Sequence, residues 1–235
     1  MNTHINNIES LIGSLKGKAI LDIGAGFGDF VFACLERGYD ARGIELNAKK
    51  IAKAEIAAAQ KGISLPLVQG IAESLPFENN RFDFVNVGEV IEHVRDPRQV
   101  LKEIYRVLKP GGHVYVSVHN RFGMYDTHFH VYFLGWMPRA WTHAYLSILG
   151  RHKEYAKAVD FQNIRDMHYY SYNTFQKLAE EKGFRVQDIR EIKLKRMPAW
   201  KKIVYPIFRS IYFSTFHVLL QKPMLLAHNG NTASR

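Results

Sequence analysis

A glycine-rich turn between a strand-like segment and a helical segment constrains the fold of this 235-residue chain more than any other feature. An apolar run at 18–23 leads into Gly24-Ala25-Gly26-Phe27-Gly28, and a helical pattern follows at about 29–37. Glycine permits the tight turn and lets a ligand approach the backbone at the start of the helix. A strand, a glycine turn and a helix in this order are typical of the first unit of a ligand-binding α/β sheet.

The spacing of the glycines favours a ligand without phosphates. A G-x-G-x-x-G dinucleotide fingerprint would need glycine where the chain has Asp29, whose carboxylate would repel a pyrophosphate. A nicotinamide oxidoreductase is therefore disfavoured. Glu45 ends the second predicted strand, where an acid accepts hydrogen bonds from ribose hydroxyls. Asp22, at the end of the first strand, can receive a cationic amino group.

Strand and helix patterns alternate along most of the chain, which predicts an α/β, Rossmann-like parallel sheet with helices on both faces. After an amphipathic opening at 5–15, strands are predicted at 18–23, 40–45, 65–69, 82–87, 113–118, 184–192 and about 224–227. Helices are predicted at 29–37, 47–62, 97–108 and 173–182, with one more near the end of the chain. Pro110-Gly111-Gly112 is predicted to stop the helix that ends at 108.

These patterns divide a single predicted domain, 1–235, into three parts. The core covers about 16–118 and 167–192. The insertion at about 119–166 is crowded with aromatic and histidine residues, and it is predicted to form a partly helical cap over the site. The tail, about 193–235, is predicted to contain an amphipathic helix kinked at Pro206.

The net charge of +10 is concentrated in the tail, because 193–235 carries eight Lys or Arg and no Asp or Glu. The rest of the chain is nearly neutral, which disfavours nucleic acid as a partner. Residues 193–220 are expected either to lie on a membrane surface, at its inner face, or to pack against the domain or a second subunit. A monomer and a homodimer both remain open.

The single cysteine, Cys34, lies among apolar residues and is predicted to be buried and unreactive. One cysteine cannot form an internal disulfide, and the first ten residues are polar rather than basic and then apolar. A cytoplasmic protein is therefore expected.

Three sequence elements resemble the class I S-adenosylmethionine (SAM) dependent methyltransferases, specifically the methyltransferase type 11 group. They are the glycine turn, the acid that ends the second strand, and Leu75-Pro76-Phe77 followed by Phe82-Asp83. The resemblance covers about 18–118 and, more loosely, 167–184. It implies that the glycine turn holds the methionine end of SAM and that the acid holds the ribose. The predicted cofactor-binding residues are Asp22, Gly24, Ala25, Gly26, Gly28, Glu45, Leu46, Ala72, Glu73 and Gly88.

One departure from the family pattern concerns the adenine ring. The family usually has an aspartate that contacts the adenine amino group where this chain has Ile71. The backbone N–H of Ala72 is left as the expected contact to the ring.

A Glu-x-x-Glu-His cluster follows the fourth predicted strand. Glu89, Glu92 and His93 fall at i, i+3 and i+4 and would share one face of a helical turn. The cluster resembles the metal-dependent O-methyltransferases that act on the terminal ribose of small RNAs or on quinone precursors, and His168 stands where those enzymes carry a further histidine. This resemblance implies a divalent metal on Glu89, Glu92, His93 and His168, with Mg²⁺ or Mn²⁺ favoured and Zn²⁺ open. The alternative is a metal-free enzyme, since similar Glu-His-Val segments occur in type 11 members that need no metal.

The aromatic and histidine residues of the cap suit a flat ring or a sugar face. His93, His119 and His130 are the candidate general bases. The predicted function is SAM-dependent O-methylation of a small-molecule, glycan or lipid-linked hydroxyl. An RNA ribose methyltransferase and a non-catalytic SAM-binding subunit remain alternatives.

Overall fold

The computed structural model describes residues 2–150, 167–194, 198–211 and 213–224. Its strands are β1 (Ala19–Ile23), β2 (Asp40–Glu45), β3 (Leu67–Gln69), β4 (Phe82–Val87), β5 (Leu108–His119), β6 (Tyr125–Asp126), β7 (Val131–Tyr132), β8 (Arg185–Asp188) and β9 (Thr215–Gln221). Its α-helices are α1 (Asn2–Ile12), α2 (Asp29–Leu35), α3 (Ala48–Ala59), α4 (Pro97–Val107), α5 (Arg139–Ile148), α6 (Tyr172–Glu180), α7 (Ile189–Leu194) and α8 (Ala199–Ile211).

Seven strands form one sheet in the order β3-β2-β1-β4-β5-β9-β8. The strands from β3 to β5 pair in parallel, and β9 runs antiparallel to both of its neighbours. The strand order reverses between β1 and β4, and ligands of open α/β sheets bind at the carboxyl edge beside such a reversal. The predicted Rossmann-like α/β fold is confirmed.

Two apolar layers cover the two faces of this sheet. One face packs against α4 and α6 and includes Leu101 and Phe175, and the other packs against α1, α2 and α3 and includes Ile5 and Phe30. Helix starts are fixed locally: the Asn47 side chain accepts the Lys49 N–H at 3.0 Å to begin α3. Cys34 is buried in the second layer, as predicted.

The prediction for the segment after α4 is wrong in one respect. The helix ends at Val107, but β5 begins at Leu108 and includes the Pro-Gly-Gly segment, instead of starting at position 113. Gly111 adopts the left-handed φ of +79° there, and its N–H donates to the Lys222 carbonyl at 2.8 Å. A strand from the far end of the chain supplies these hydrogen bonds, so the local sequence gave no sign of the extension.

The end of the chain also differs from the prediction. Among the described residues the last strand is β9 at Thr215–Gln221, where the sequence predicted no strand. The strand predicted at about 224–227 lies outside the described residues except for Met224. The strand predicted at 184–192 ends at Asp188 and continues as α7. Leu219 of β9 pairs with Tyr115 in the interior of the sheet.

The tail helix α8 packs on the domain. The Tyr205 hydroxyl donates to Asp188 Oδ2 at 2.9 Å, and Arg209 Nη1 lies 3.2 Å from the same oxygen. Trp200 and Ile203 remain exposed on the helix. Within the described ranges, no helix is long and apolar enough to span a membrane.

The cap begins with a short hairpin of β6 and β7, followed by a 3₁₀ turn at Leu134–Trp136 and by α5. A small apolar cluster holds these elements together and includes Phe129, Leu134, Leu146 and Met167. The part of the predicted insertion at 151–166 lies outside the described residues.

Candidate functional site

A cleft of about 540 Å³ lies where the first four strands of the sheet end. Its volume is in the range of ligand-binding clefts, about 300–1,000 Å³. Residues at the ends of β1 and β2 and after β1, β2, β3 and β4 line it: Ile23, Gly24, Ile44, Glu45, Leu46, Lys50, Gly70, Ile71, Ala72, Glu73, Glu89, Val90, His93, Val94 and Arg95. The cleft therefore lies at the strand-order reversal. Five of the predicted cofactor-binding residues line it: Gly24, Glu45, Leu46, Ala72 and Glu73.

The glycines of the first turn serve different physical purposes. A Cβ on Gly24 would lie 2.4 Å from Val90 Cγ2, and Gly24 has a φ of +72°. A Cβ on Gly28 would lie 2.2 Å from Leu65 Cδ2, so Gly28 keeps space for core packing. Of the predicted turn residues Gly24, Ala25, Gly26 and Gly28, only Gly24 is among the residues that line the cleft.

Glu45 ties the end of β2 to the glycine turn. Its Oε2 accepts the Gly26 N–H at 2.8 Å, its Oε1 accepts the Asn47 N–H at 2.9 Å, and the side chain is buried. Lys50 Nζ lies 4.0 Å from Oε1. A carboxylate has about four lone-pair sites, so each oxygen keeps capacity for a further donor.

Asp22 lies below the cleft rather than in its wall. Its Oδ1 accepts the Asn86 Nδ2–H at 2.7 Å, and Asn86 Oδ1 is 3.0 Å from His4 Nε2 on α1. Burial raises the pKa of Asp22 to about 7. A nearby cation would favour its ionised form. The predicted contact of Asp22 with a cationic amino group stays a prediction.

Glu73 joins two of the loops that line the cleft. Its Oε1 accepts the Arg95 N–H at 2.8 Å, and its carbonyl accepts the Gln99 Nε2–H at 3.2 Å. Its neighbour Ile71 is 46% exposed, at the position where the resemblance led us to expect an aspartate. Leu46 and Ala72 line the cleft beside them, whereas Gly88 does not.

The helical turn predicted for Glu89, Glu92 and His93 is wrong. Residues 88–96 form turns and bends, and Glu89 has a left-handed φ of +54°. The side chain of Glu89 therefore lines the cofactor cleft, while Glu92 is buried away from it. A residue with positive φ cannot belong to the regular α-helical face on which the prediction depended.

A second group of side chains lies beside the cleft. Glu92, His119 and His128 each place a potential ligand atom within 4.8 Å of the others. The His93 ring, which lines the cleft, meets the His128 ring at a centroid distance of 5.1 Å. The sequence singled out Glu92 as a candidate metal ligand and His119 as a candidate base, but it gave His128 no role. No local spacing links either histidine to Glu92.

Burial governs the electrostatics of this group. Glu92 is 1% exposed, and desolvation raises its pKa to about 7. Asp126 is also buried, but hydrogen bonds from His119, Tyr169 and the backbone outweigh that desolvation and hold its pKa below its usual range. Desolvation raises the pKa of Tyr169, and its contact with the Asp126 carboxylate raises it further.

Two histidines named from the sequence lie elsewhere. The His168 side chain lines a separate groove with Arg98 and Tyr170, although its backbone N–H donates to the Glu92 carbonyl at 2.9 Å. His130 is exposed on the cap hairpin, with its Nδ1 3.3 Å from the Tyr125 hydroxyl. The structure thus groups Glu92 with His119 and His128, and places Glu89 and His168 outside that group.

The family comparison agrees with this geometry. Residues 21–116 match the family model Methyltransf_11, described as a methyltransferase domain. Over this segment the match confirms the resemblance to the methyltransferase type 11 group that was inferred from the sequence.

The curated relatives match about half of the chain. A ubiquinone biosynthesis O-methyltransferase of Pseudomonas entomophila is 38% identical over 109 residues, which cover 46% of this chain and 47% of that protein. A protein of the same name from Pseudomonas fluorescens is 36% identical over 118 residues, which cover 50% of each chain. The chain therefore spans about half the length of the curated relatives it matches.

Solved structures share the fold along nearly the whole chain. An S-adenosylmethionine dependent methyltransferase from Mesorhizobium loti has a TM-score of 0.61 at 18% identity, with 92% of this chain and 96% of that chain covered. The cyclase SpnF has a TM-score of 0.59 at 16% identity, with 95% and 82% covered. Because a methyltransferase and a cyclase share this architecture, the fold alone does not decide the chemistry.

Proposed function

We propose that this chain, whose residues 21–116 form a methyltransferase domain, is a SAM-dependent O-methyltransferase that acts on a hydroxyl group of a small molecule. The observation that carries the proposal is the cleft at the strand-order reversal, which is lined by Gly24 of the glycine turn and by Glu45, whose carboxylate accepts the Gly26 N–H. The names of the curated relatives, ubiquinone biosynthesis O-methyltransferases, support oxygen as the methylated atom.

The residues of the cleft suit a nucleoside that carries an amino acid. Glu45 can accept ribose hydroxyls through the capacity left on its two oxygens. The Gly24 turn brings the backbone to the cleft wall without a side chain. When bound, SAM would supply an electrophilic methyl group, and transfer would form a C–O bond to the acceptor as the C–S bond breaks and S-adenosylhomocysteine leaves. The protein's own task is then to align the acceptor and to remove its proton.

We assign to His93 the removal of the proton from the acceptor hydroxyl. This residue lines the cleft directly, and an imidazole in that position can take a proton from a hydroxyl as the oxygen attacks. His130 is exposed on the cap hairpin and His119 is buried beside Asp126, so neither is placed for direct contact with the cleft.

Calorimetry with S-adenosylhomocysteine tests the cofactor assignment. We expect Glu45→Gln to weaken binding about tenfold or more, because a hydrogen bond to a charged group contributes about 1.5–3 kcal/mol. Glu55→Gln, on the exposed face of α3, is the matched control and should bind as the unmodified chain does. Failure of the unmodified protein to bind either SAM or S-adenosylhomocysteine would refute the proposal.

Methyl transfer from labelled SAM to a panel of phenolic, glycan and lipid-linked hydroxyl compounds tests the reaction. We expect His93→Gln to lower kcat by about 10²–10⁴, the usual contribution of a positioned base, with His130→Gln as the unaffected control. Cofactor binding without transfer to any hydroxyl would contradict the O-methyltransferase assignment and favour a non-catalytic SAM-binding subunit.

A further inference from the structure

We propose that Glu92, His119 and His128 form a binding site for a first-row divalent transition metal of the Zn²⁺ type, with Asp126 holding His119 in place. This ligand set differs from the one implied by the sequence, and it does not depend on the methyl-transfer reaction. It includes His119, the last residue of β5, and His128 of the cap hairpin, in place of Glu89, His93 and His168.

The spacing of the ligand atoms fits a small cation. One ligand atom from each of Glu92, His119 and His128 lies within 4.8 Å of the other two, and His128 Nε2 is 3.8 Å from Glu92 Oε1. With metal–ligand bonds of about 2.0–2.2 Å, the ligand atoms of a tetrahedral site lie about 3.3–3.6 Å apart. Small rotations of the side chains therefore suffice to close the site.

The burial of these groups gives an independent reason to place a cation here. Glu92 is 1% exposed, and neither of its carboxylate oxygens accepts a hydrogen bond from another described residue. His119 is 2% exposed, and its Nδ1 likewise has no hydrogen-bond partner in the described part of the chain. A buried carboxylate without a partner is costly, and a cation between Glu92 and the imidazoles would compensate for that cost.

Asp126 prepares His119 for coordination through Nδ1. Its Oδ2 lies 3.2 Å from His119 Nε2 and accepts the Tyr169 hydroxyl at 2.8 Å, while its Oδ1 accepts the backbone N–H groups of His128 and Phe129. A carboxylate that accepts the second ring N–H of a histidine is the usual support behind metal-binding imidazoles, because it fixes the ring and its tautomer.

The donor set selects the class of metal. Two imidazoles and one carboxylate suit Zn²⁺ and its transition-metal neighbours better than Mg²⁺, which prefers oxygen ligands and bound water. Three protein ligands are also what open zinc sites use, with further positions left for water or a ligand. His93 connects the two sites, because its ring contacts His128 and lines the cofactor cleft.

Titration of the metal-free full-length protein with Co²⁺, followed by its visible absorption, tests the site directly. We expect one Co²⁺ per chain with the spectrum of nitrogen and oxygen ligation, and competition by Zn²⁺. Supporting residues of a metal site contribute about 10–100-fold to metal affinity, so Asp126→Asn should weaken Co²⁺ binding by that factor. His128→Ala and Glu92→Gln remove ligands and should weaken Co²⁺ binding more than about 100-fold.

His168→Ala is the matched control, because His168 belongs to the ligand set implied by the sequence but lines the separate groove. It should bind Co²⁺ as the unmodified protein does. Circular dichroism and thermal unfolding of each variant verify that its fold is intact, and His128→Asn replaces His128→Ala if the latter unfolds. Absence of stoichiometric Co²⁺ binding, or equal losses in His168→Ala and His128→Ala, would overturn the proposal.

Discussion

Replacement of three glycines by alanine separates backbone strain from contacts in the cofactor cleft. Gly13, Gly24 and Gly26 all have positive φ, at +81°, +72° and +58°. A Cβ on Gly13 meets nothing within 4 Å, and one on Gly26 meets only the Gly24 carbonyl, at 3.9 Å. A Cβ on Gly24 would lie 2.4 Å from Val90 Cγ2. The three substitutions thus impose similar strain, and Gly24→Ala adds a collision.

The expected magnitudes follow from these distances. Left-handed backbone costs a residue with a Cβ about 1–2 kcal/mol, which lowers Tm by about 2–8 °C in a chain of this size. Gly13→Ala and Gly26→Ala should both show this loss. Gly24→Ala should lose about 1–3 kcal/mol more, the usual cost of overpacking, because Val90 must move.

Thermal unfolding and calorimetry with S-adenosylhomocysteine measure the two effects separately. Gly13→Ala should bind S-adenosylhomocysteine normally, because Gly13 lies between α1 and β1, outside the cleft. Gly24→Ala should bind it at least tenfold more weakly, because both Gly24 and Val90 line the cleft. If Gly24→Ala matched Gly13→Ala in both Tm and affinity, the assigned position of the glycine turn would be refuted.

Three further predictions concern the support of the fold. Glu103→Gln should destabilise the protein by about 1.5–3 kcal/mol at pH 7, because the Arg106 guanidinium holds the pKa of Glu103 below its usual value. That stabilisation is present above the unfolded pKa of about 4.3 and is lost as the pH falls through the folded pKa. In denaturant titrations, the unfolding free energies of the variant and the unmodified protein should therefore converge in acid. A difference that stays constant with pH would contradict the ion pair. Lys222→Met should lower Tm, because the ammonium donates to three oxygens at 2.7–2.8 Å. An unchanged Tm would show that these hydrogen bonds do not stabilise the fold. Tyr205→Phe should speed limited proteolysis of α8 by removing its hydrogen bonds to Asp188, and equal cleavage rates would show that other contacts hold the helix.

The sequence determined those features that depend on neighbouring residues. The predicted β2 and β4 match the structure at both ends, because each lies between glycine or asparagine residues, and such turn residues are a local signal. The glycines at 24, 26 and 28 all adopt the positive φ that their turn requires. Glu45 ends β2 as predicted. It lines the cleft because the carboxyl ends of adjacent parallel strands meet at one edge of the sheet.

Only the tertiary structure decided which distant residues meet. β9 pairs with β5 in the sheet, but the sequence assigned this part of the tail no strand. The periodicity of a segment does not specify which distant strand it pairs with. Glu89 and Glu92 diverge because one positive φ breaks the turn they were expected to share. Glu92 lies close to His119 and His128 because β5 and the cap hairpin bring these histidines near the loop that contains Glu92. Such convergence depends on the whole path of the backbone, which no local spacing of residues specifies.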